Sequence, residues 1–144
     1  MKSDLTLIGS RLRRIDGLAM STGQAQYTDD LVFPGMLHGK ILRSPYAHAR
    51  IISIDTKKAL ALDGVHAVIT GRDMPEKYGV IPWTPDESPL CVERVRYIGD
   101  GVAAVAAVDE DTANRALDVI LVEYEELPSY LDPRKALEAT NGPF

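Results

Sequence analysis

Few residues of this chain have the types and spacing that catalysis or metal binding requires. The three histidines, His38, His48 and His66, lie far apart in stretches that favour strands or turns. A zinc or non-heme iron site needs several ligands that converge on one ion, so this spacing gives it little support. The solitary Cys91 excludes a disulfide framework and any multi-thiolate iron or zinc site. No nucleophilic triad is suggested and no glycine-rich phosphate loop occurs. We therefore predict no catalytic residue and no metal ligand here.

Composition excludes further function classes. The chain has 144 residues, of which 45% are hydrophobic, and this is enough for one domain with a core. Its formal net charge of −5 argues against a nucleic-acid partner, which would need a basic stripe. No apolar run approaches the roughly 20 residues of a membrane span, and no signal-peptide pattern opens the chain. We expect a cytoplasmic protein with no membrane partner.

Two segments are candidates for binding or contact. Residues 72–89 carry four prolines and must form a long loop, and loops of that length in compact domains are usually functional or disordered. The second segment is the corner Gly99-Asp100-Gly101, where glycine permits a positive φ and aspartate suits a turn. The corner leads into residues 102–107, which are only valine and alanine. A strand without a polar face is usually buried on both sides.

The elements that must position these segments alternate along the chain. Strands are expected at 37–43, 51–54, 65–70, 102–108 and 121–124, and helices at 55–62, from Asp109 to about 120, and from Asp132-Pro133 to about 139. Strand, helix, strand thus occurs twice. We predict an α+β fold, with a small mixed sheet built from two βαβ-like units and helices packed on it. Residues 1–16 are expected to form an N-terminal arm, and residues 17–144 a single domain.

Six motifs, in order over most of the chain, carry a family resemblance: residues 22–30 (TGQAQYTDD), 37–51 (LHGKILRSP and AHARI), 89–90 (PL), 95–99 (VRYIG), 102–107 (VAAVAA) and 122–128 (VEYEELP). With these motifs the chain resembles the N-terminal α/β hammerhead domain of the molybdenum-binding large subunit in the xanthine dehydrogenase and aldehyde oxidase family. Asp100 stands where that family often has glutamine. The Gly-Asp pair is similar to the hydroxybenzoyl-CoA reductase large subunit, with xanthine, aldehyde and carbon monoxide relatives left open.

The resemblance implies a part in an oxidoreductase without catalytic residues of its own. It places the molybdopterin-bound molybdenum in a downstream domain, and iron-sulfur clusters and FAD in other domains or subunits, all of which would be partners. It places Val80, Ile81, Pro82 and Trp83 in the wall of a substrate funnel, and it makes Gly99, Asp100 and Gly101 a domain-interface turn. The substrate would be a purine, an aldehyde or an aromatic compound, and the chain alone would be inactive.

Two hypotheses from different classes stay open. In the first, the chain is a fragment of a longer molybdoprotein subunit, or a split gene product, that supports and gates the active site. In the second, it is a stand-alone, non-catalytic binding module with the same fold, because fold alone does not fix function. We also expect an exposed apolar patch near the loop and the corner, and a homo-oligomer would be one way to cover it.

Overall fold

The computed structural model describes residues 8–81 and 83–139. These residues fall in two compact units that divide between Pro34 and Gly35. The smaller unit contains helix α1 (Gly17–Ser21) and a 3₁₀ turn (Thr28–Asp30). The 3₁₀ turn is closed by the Asp30 carboxylate, which accepts a hydrogen bond of 2.9 Å from the backbone N–H of Tyr27.

The larger unit holds the remaining helices and strands. In chain order they are β1 (His38–Arg43), β2 (Ala49–Asp55), α2 (Lys57–Leu60), β3 (Val65–Thr70), a 3₁₀ turn (Gly71–Asp73), β4 (Arg94–Val95), β5 (Gly101–Ala107), α3 (Glu110–Asp118), β6 (Leu121–Glu126) and α4 (Pro133–Glu138). Apart from the two-residue strand β4 and the 3₁₀ turn, each of these elements lies within a few residues of an expected one.

Six strands form two separate three-stranded antiparallel sheets. The first has the order β1-β5-β3 and the second the order β4-β2-β6. Helices α2 and α3 pack on the first sheet and on each other. The α+β class that the sequence predicts is therefore confirmed.

The sheet arrangement differs from the single mixed sheet of two βαβ-like units. Each strand-helix-strand segment crosses between the sheets, since β2 and β6 lie in the second sheet and β3 and β5 in the first. A parallel crossover needs a dozen or more residues, and the short connection through α2 does not provide them. Strand β6 cannot return beside β5, because β1 and β3 already pair with both edges of β5.

Strand β5 is the centre of the core, as its lack of a polar face predicts. Val102 is fully buried against Ala49, Ile51 and Val95 of the second sheet. The opposite side, with Ala103, Val105 and Ala107, packs on the small side chains of α3. Alanines on both partners let the helix lie close to the sheet. The two clusters are joined by Ile54 and Val122, which pack against both.

Local capping fixes where α3 and α4 begin. The Asp109 carboxylate accepts a hydrogen bond of 2.6 Å from the backbone N–H of Thr112, and Asp132 accepts one of 2.9 Å from that of Arg134. Pro133 occupies the first turn of α4, where its missing N–H costs nothing. Both helix starts are confirmed where the sequence places them.

Candidate functional site

The proline-rich loop is a hairpin-like arm held together at its base. Tyr78 and Glu87 exchange two backbone hydrogen bonds of 2.9 Å, which form an isolated antiparallel bridge. Gly79 follows this bridge, and a Cβ there would lie 2.6 Å from the carbonyl oxygen of Thr84. Only glycine therefore lets the two limbs of the arm approach this closely.

The tip of the arm presents large apolar side chains to solvent. Val80 is 88% exposed, Trp83 82% and Ile81 50%. Pro82 lies outside the described residues. A tip with so little packing does not contribute to the core, so its apolar residues are free to contact another surface.

The corner at Gly99, Asp100 and Gly101 is held by the segment that follows β1. Ser44 donates its backbone N–H to the carbonyl of Asp100 and accepts from the N–H of Gly99, both at 2.8 Å. The guanidinium of Arg43 donates to the Gly99 carbonyl at 2.8 Å. Gly99 has a φ of +95°, which explains glycine at this position. The corner is therefore a fixed turn.

The carboxylate of Asp100 closes the same turn from inside. It accepts a hydrogen bond of 3.0 Å from the backbone N–H of Arg96. Its side chain also faces a thiol and a phenol. Burial, followed by hydrogen bonding to Asp100 and its negative charge, raises the pKa of the Cys91 thiol to about 12. The charge of Asp100 likewise raises the pKa of Tyr97.

An open groove of about 960 Å³ lies between the arm and the segment that leads to the corner. Its floor includes Gly71, which is buried so closely that a Cβ would lie 2.5 Å from the carbonyl oxygen of Cys91. Charged residues line it in equal numbers: Arg72, Lys77, Arg94 and Arg96 are basic, and Asp86, Glu87, Glu93 and Asp100 are acidic. Val80, Ile81 and Trp83 are not among its lining residues.

The groove is what sequence reasoning missed. One feature of the sequence points to it. Arg94 and Arg96 flank the fully buried Val95, and the alternation of side chains along a strand turns both arginines away from the core. The rest of the lining comes from residues distant in sequence, and the arm brings them together only when it folds back. The histidines do not take part. His48 instead lies with Nδ1 at 2.8 Å from the carbonyl oxygen of Pro128.

The structure brings together only part of the predicted site. Residues 80, 81 and 83 share the arm tip, and residues 99–101 form the fixed turn, so the two predicted groups are separate features. Among residues 8–81 and 83–139, no group of three or more His, Cys, Asp or Glu side chains could hold a metal ion. In the same residues, no helix is both long and apolar enough to span a membrane.

The match to known proteins decides the family. Residues 22–128 match the family model described as aldehyde oxidase and xanthine dehydrogenase, a/b hammerhead domain. The chain belongs to this family. The resemblance to the xanthine dehydrogenase and aldehyde oxidase family is thereby confirmed.

Three relatives illustrate how much of a large subunit the hammerhead domain makes up. The chain is 50% identical over 126 residues to a probable xanthine dehydrogenase subunit of Bacillus subtilis (strain 168), covering 86% of this chain and 17% of that protein. It is 40% identical over 140 residues to the nicotinate dehydrogenase large molybdopterin subunit of Eubacterium barkeri, covering 96% and 32%. Reconstituted CO dehydrogenase from Oligotropha carboxidovorans superposes with a TM-score of 0.81 at 38% identity, covering 93% and 17%.

Two conclusions follow from these relatives. The hammerhead fold is confirmed at high similarity, and the chain spans a third or less of the length of the proteins named above. The hammerhead domain is thus a domain of molybdenum-containing dehydrogenase large subunits.

Proposed function

We propose that this hammerhead domain is a structural and substrate-funnel part of a molybdopterin-dependent oxidoreductase. The complete enzyme would carry out redox chemistry on a purine, an aldehyde or an aromatic substrate at a molybdenum centre outside these residues. The observation that carries the proposal is the family match over residues 22–128, together with an arm that exposes Val80, Ile81 and Trp83. Apolar residues with few polar anchors are typical of ligand-site walls.

The described residues do not fit a metal centre of their own. They offer no set of three ligands, and the thiol of Cys91 has a raised pKa, which disfavours the thiolate form that metals require. We therefore assign molybdopterin-bound molybdenum to the rest of the subunit, and iron-sulfur clusters and FAD to partner domains or subunits. The 144 residues supply walls and contacts, and no proton or electron transfer is assigned to them.

Ring-bearing molecules are the substrates that the arm suits best. The indole of Trp83 provides a flat apolar face, and such faces stack on aromatic rings. The named relatives act on xanthine and nicotinate, which are heteroaromatic, and on carbon monoxide, which is not. We also propose hydroxybenzoyl-CoA reductase activity, which acts on an aromatic thioester, as an alternative reaction of the complete enzyme. This proposal rests on Asp100, which stands where the family often has glutamine. The carboxylate of Asp100 accepts a hydrogen bond, whereas a glutamine amide could also donate one.

A stand-alone binding module is the second candidate function. What favours it is that the larger unit has a complete core of its own around β5. The first proposal also includes a cytoplasmic location and a homo-oligomer.

Elemental analysis and activity assays on the complete subunit and on the 144-residue chain separate the two candidates. We expect stoichiometric molybdenum and substrate oxidation or reduction in the complete, assembled enzyme, and neither in the isolated chain. Stoichiometric molybdenum in the isolated chain would overturn the placement of the cofactor. If the complete protein contained no molybdenum, the result would favour the second candidate function, the stand-alone binding module.

A further inference from the structure

The groove between the arm and the corner has features of a polypeptide interface and lacks those of a small-molecule pocket. Its volume of about 960 Å³ is at the upper end for ligand sites, which are mostly apolar and enclosed. Here eight of the lining residues are charged, and two more are the half-exposed Tyr78 and Tyr97. Arginine and tyrosine are enriched in protein–protein interfaces, whereas lysine, aspartate and glutamate are depleted from interface cores, so the groove resembles the polar rim of an interface.

The charges of the groove lack ion-pair partners in the part of the chain that the structure describes. The ion pairs of the described residues join Arg14 to Asp16, Lys40 to Glu110 and Arg50 to Glu125, and none of these is a groove residue. The arm contributes Lys77, Asp86 and Glu87 to one wall, and the segment 93–100 contributes both signs to the other. A surface that complements these charges therefore carries both signs of charge itself.

The groove is also rigid at its base and at one end. Gly71 packs against the backbone of Leu90 and Cys91 with no room for a side chain. Ser44 and Asp100 hold the turn at the other end through backbone and side-chain hydrogen bonds. A preorganised surface loses little conformational entropy when a partner binds, so this is a suitable place for a permanent contact.

We infer that this groove docks a charge-balanced polypeptide surface from the part of the same large subunit that lies outside these residues. The inference rests on the proposed function. The match covers only 17% and 32% of the two relatives' lengths, so the remaining residues of such a subunit can provide this surface. Balanced charges of the lining call for a partner with lysine or arginine beside aspartate or glutamate. A strongly basic or acidic partner would leave half of the groove charges unpaired.

Zero-length carbodiimide cross-linking of the complete enzyme tests this docking. The reagent joins carboxylates to lysines that touch them, and mass spectrometry locates the links. We expect Lys77, Asp86, Glu87 or Glu93 to be linked to residues of the same large subunit beyond this chain. Enzyme assembled from a mixture of ¹⁴N and ¹⁵N subunits shows whether a link joins two copies, because only then does the linked pair carry both isotopes.

A double charge-reversal variant tests whether the groove charges themselves hold the docked surface. Lys77→Glu with Arg96→Glu changes one exposed cation on each wall, and we expect it to lower the yield of the remaining groove links about tenfold. Lys57→Glu with Lys58→Glu is the matched control, because these exposed lysines of α2 lie outside the groove, and it should leave the links unchanged.

Several outcomes would overturn the docking. The first is that all links join two copies of the large subunit, and the second is that all links go to other subunits. The third is that no links form while a small amine rapidly modifies Asp86, Glu87 and Glu93, which would show that the groove is open to solvent. Molybdenum content measured on the same preparation keeps the two proposals apart. An enzyme with molybdenum and an open groove refutes the docking alone, and an enzyme without molybdenum refutes the proposed function whatever the links show.

Discussion

At the scale of single residues, the most consequential side chain is Asp100. It accepts a hydrogen bond from the backbone N–H of Arg96, and its charge acts on Cys91 and Tyr97. An ordinary turn aspartate would serve only the local backbone. Asp100 also adds to the effect of burial in raising the pKa of Cys91, the one thiol in the chain, so its two roles can be separated by substitution.

We predict that Cys91 reacts slowly and that Asp100 contributes to this. Its pKa of about 12 leaves little thiolate at pH 8, so alkylation by iodoacetamide should be more than roughly tenfold slower than in the urea-unfolded chain, even allowing for the higher nucleophilicity of a more basic thiolate. Asp100→Asn keeps an acceptor for the Arg96 N–H and removes the charge, so it should accelerate the reaction. The control is Asp86→Asn, and equal rates for Asp100→Asn and the unchanged chain would contradict the assignment.

At the scale of elements, helix caps and hydrophobic patterns determine which helices and strands form, and strand pairing determines which sheet each strand joins. The start of α3 at Asp109 and the two-sided burial of β5 are confirmed from local sequence alone. The assignment of β2 and β3 to different sheets has no local signal, because the same residues could form a strand in either sheet. The prediction of a single mixed sheet was wrong for that reason.

The α3 cap is expected to give a pH-dependent stability. Hydrogen bonds from the backbone and side chain of Thr112 lower the pKa of Asp109 below its ordinary value of 3.8. The depressed pKa means that the cap stabilises the fold above pH 3.8 and that this contribution is lost as the pH falls through the lower, folded pKa. Asp109→Ala should therefore lower the urea midpoint at pH 7, with the difference from the unchanged chain narrowing below pH 3.8.

Asp109→Asn is the matched variant for the cap. Asparagine caps helices about as well as aspartate but does not titrate. The urea midpoint of Asp109→Asn at pH 7 should therefore lie closer to that of the unchanged chain than the midpoint of Asp109→Ala does. A midpoint difference for Asp109→Ala that stays constant from pH 7 to pH 2 would show that the carboxylate is not involved.

At the scale of the whole molecule, the tip of the arm and the groove are two distinct surfaces. The arm exposes an apolar tip, and its base and the segment 93–100 form a charged groove. Substrate contact and domain docking are therefore assigned to different residues. This separation makes the funnel testable without disturbing the docking.

We predict that Ile81→Ala or Trp83→Ala changes substrate preference in the complete enzyme and leaves the molybdenum content unaltered. Lost apolar contacts discriminate by about 1–3 kcal/mol, so the ratio of kcat/KM values between two substrates should change roughly 10- to 200-fold. The isolated chain should keep its thermal stability, because both side chains lie outside the core. Glu76→Gln on the same loop is a control. Equal losses for all substrates, or a marked fall in thermal stability, would make the tip structural.

The sequence by itself determined the family, the order of the elements, the helix caps and the buried strand β5. These features depend on residues close in sequence, where hydrophobic period, glycine and capping side chains act directly on the local backbone. Only the tertiary structure decided the division into two antiparallel sheets, the hold of Ser44 on the Gly99–Gly101 turn, and the charged groove. Each of these joins segments far apart along the chain, and their meeting depends on which edges of β5 are already paired and on how closely Gly71 lets the backbone approach.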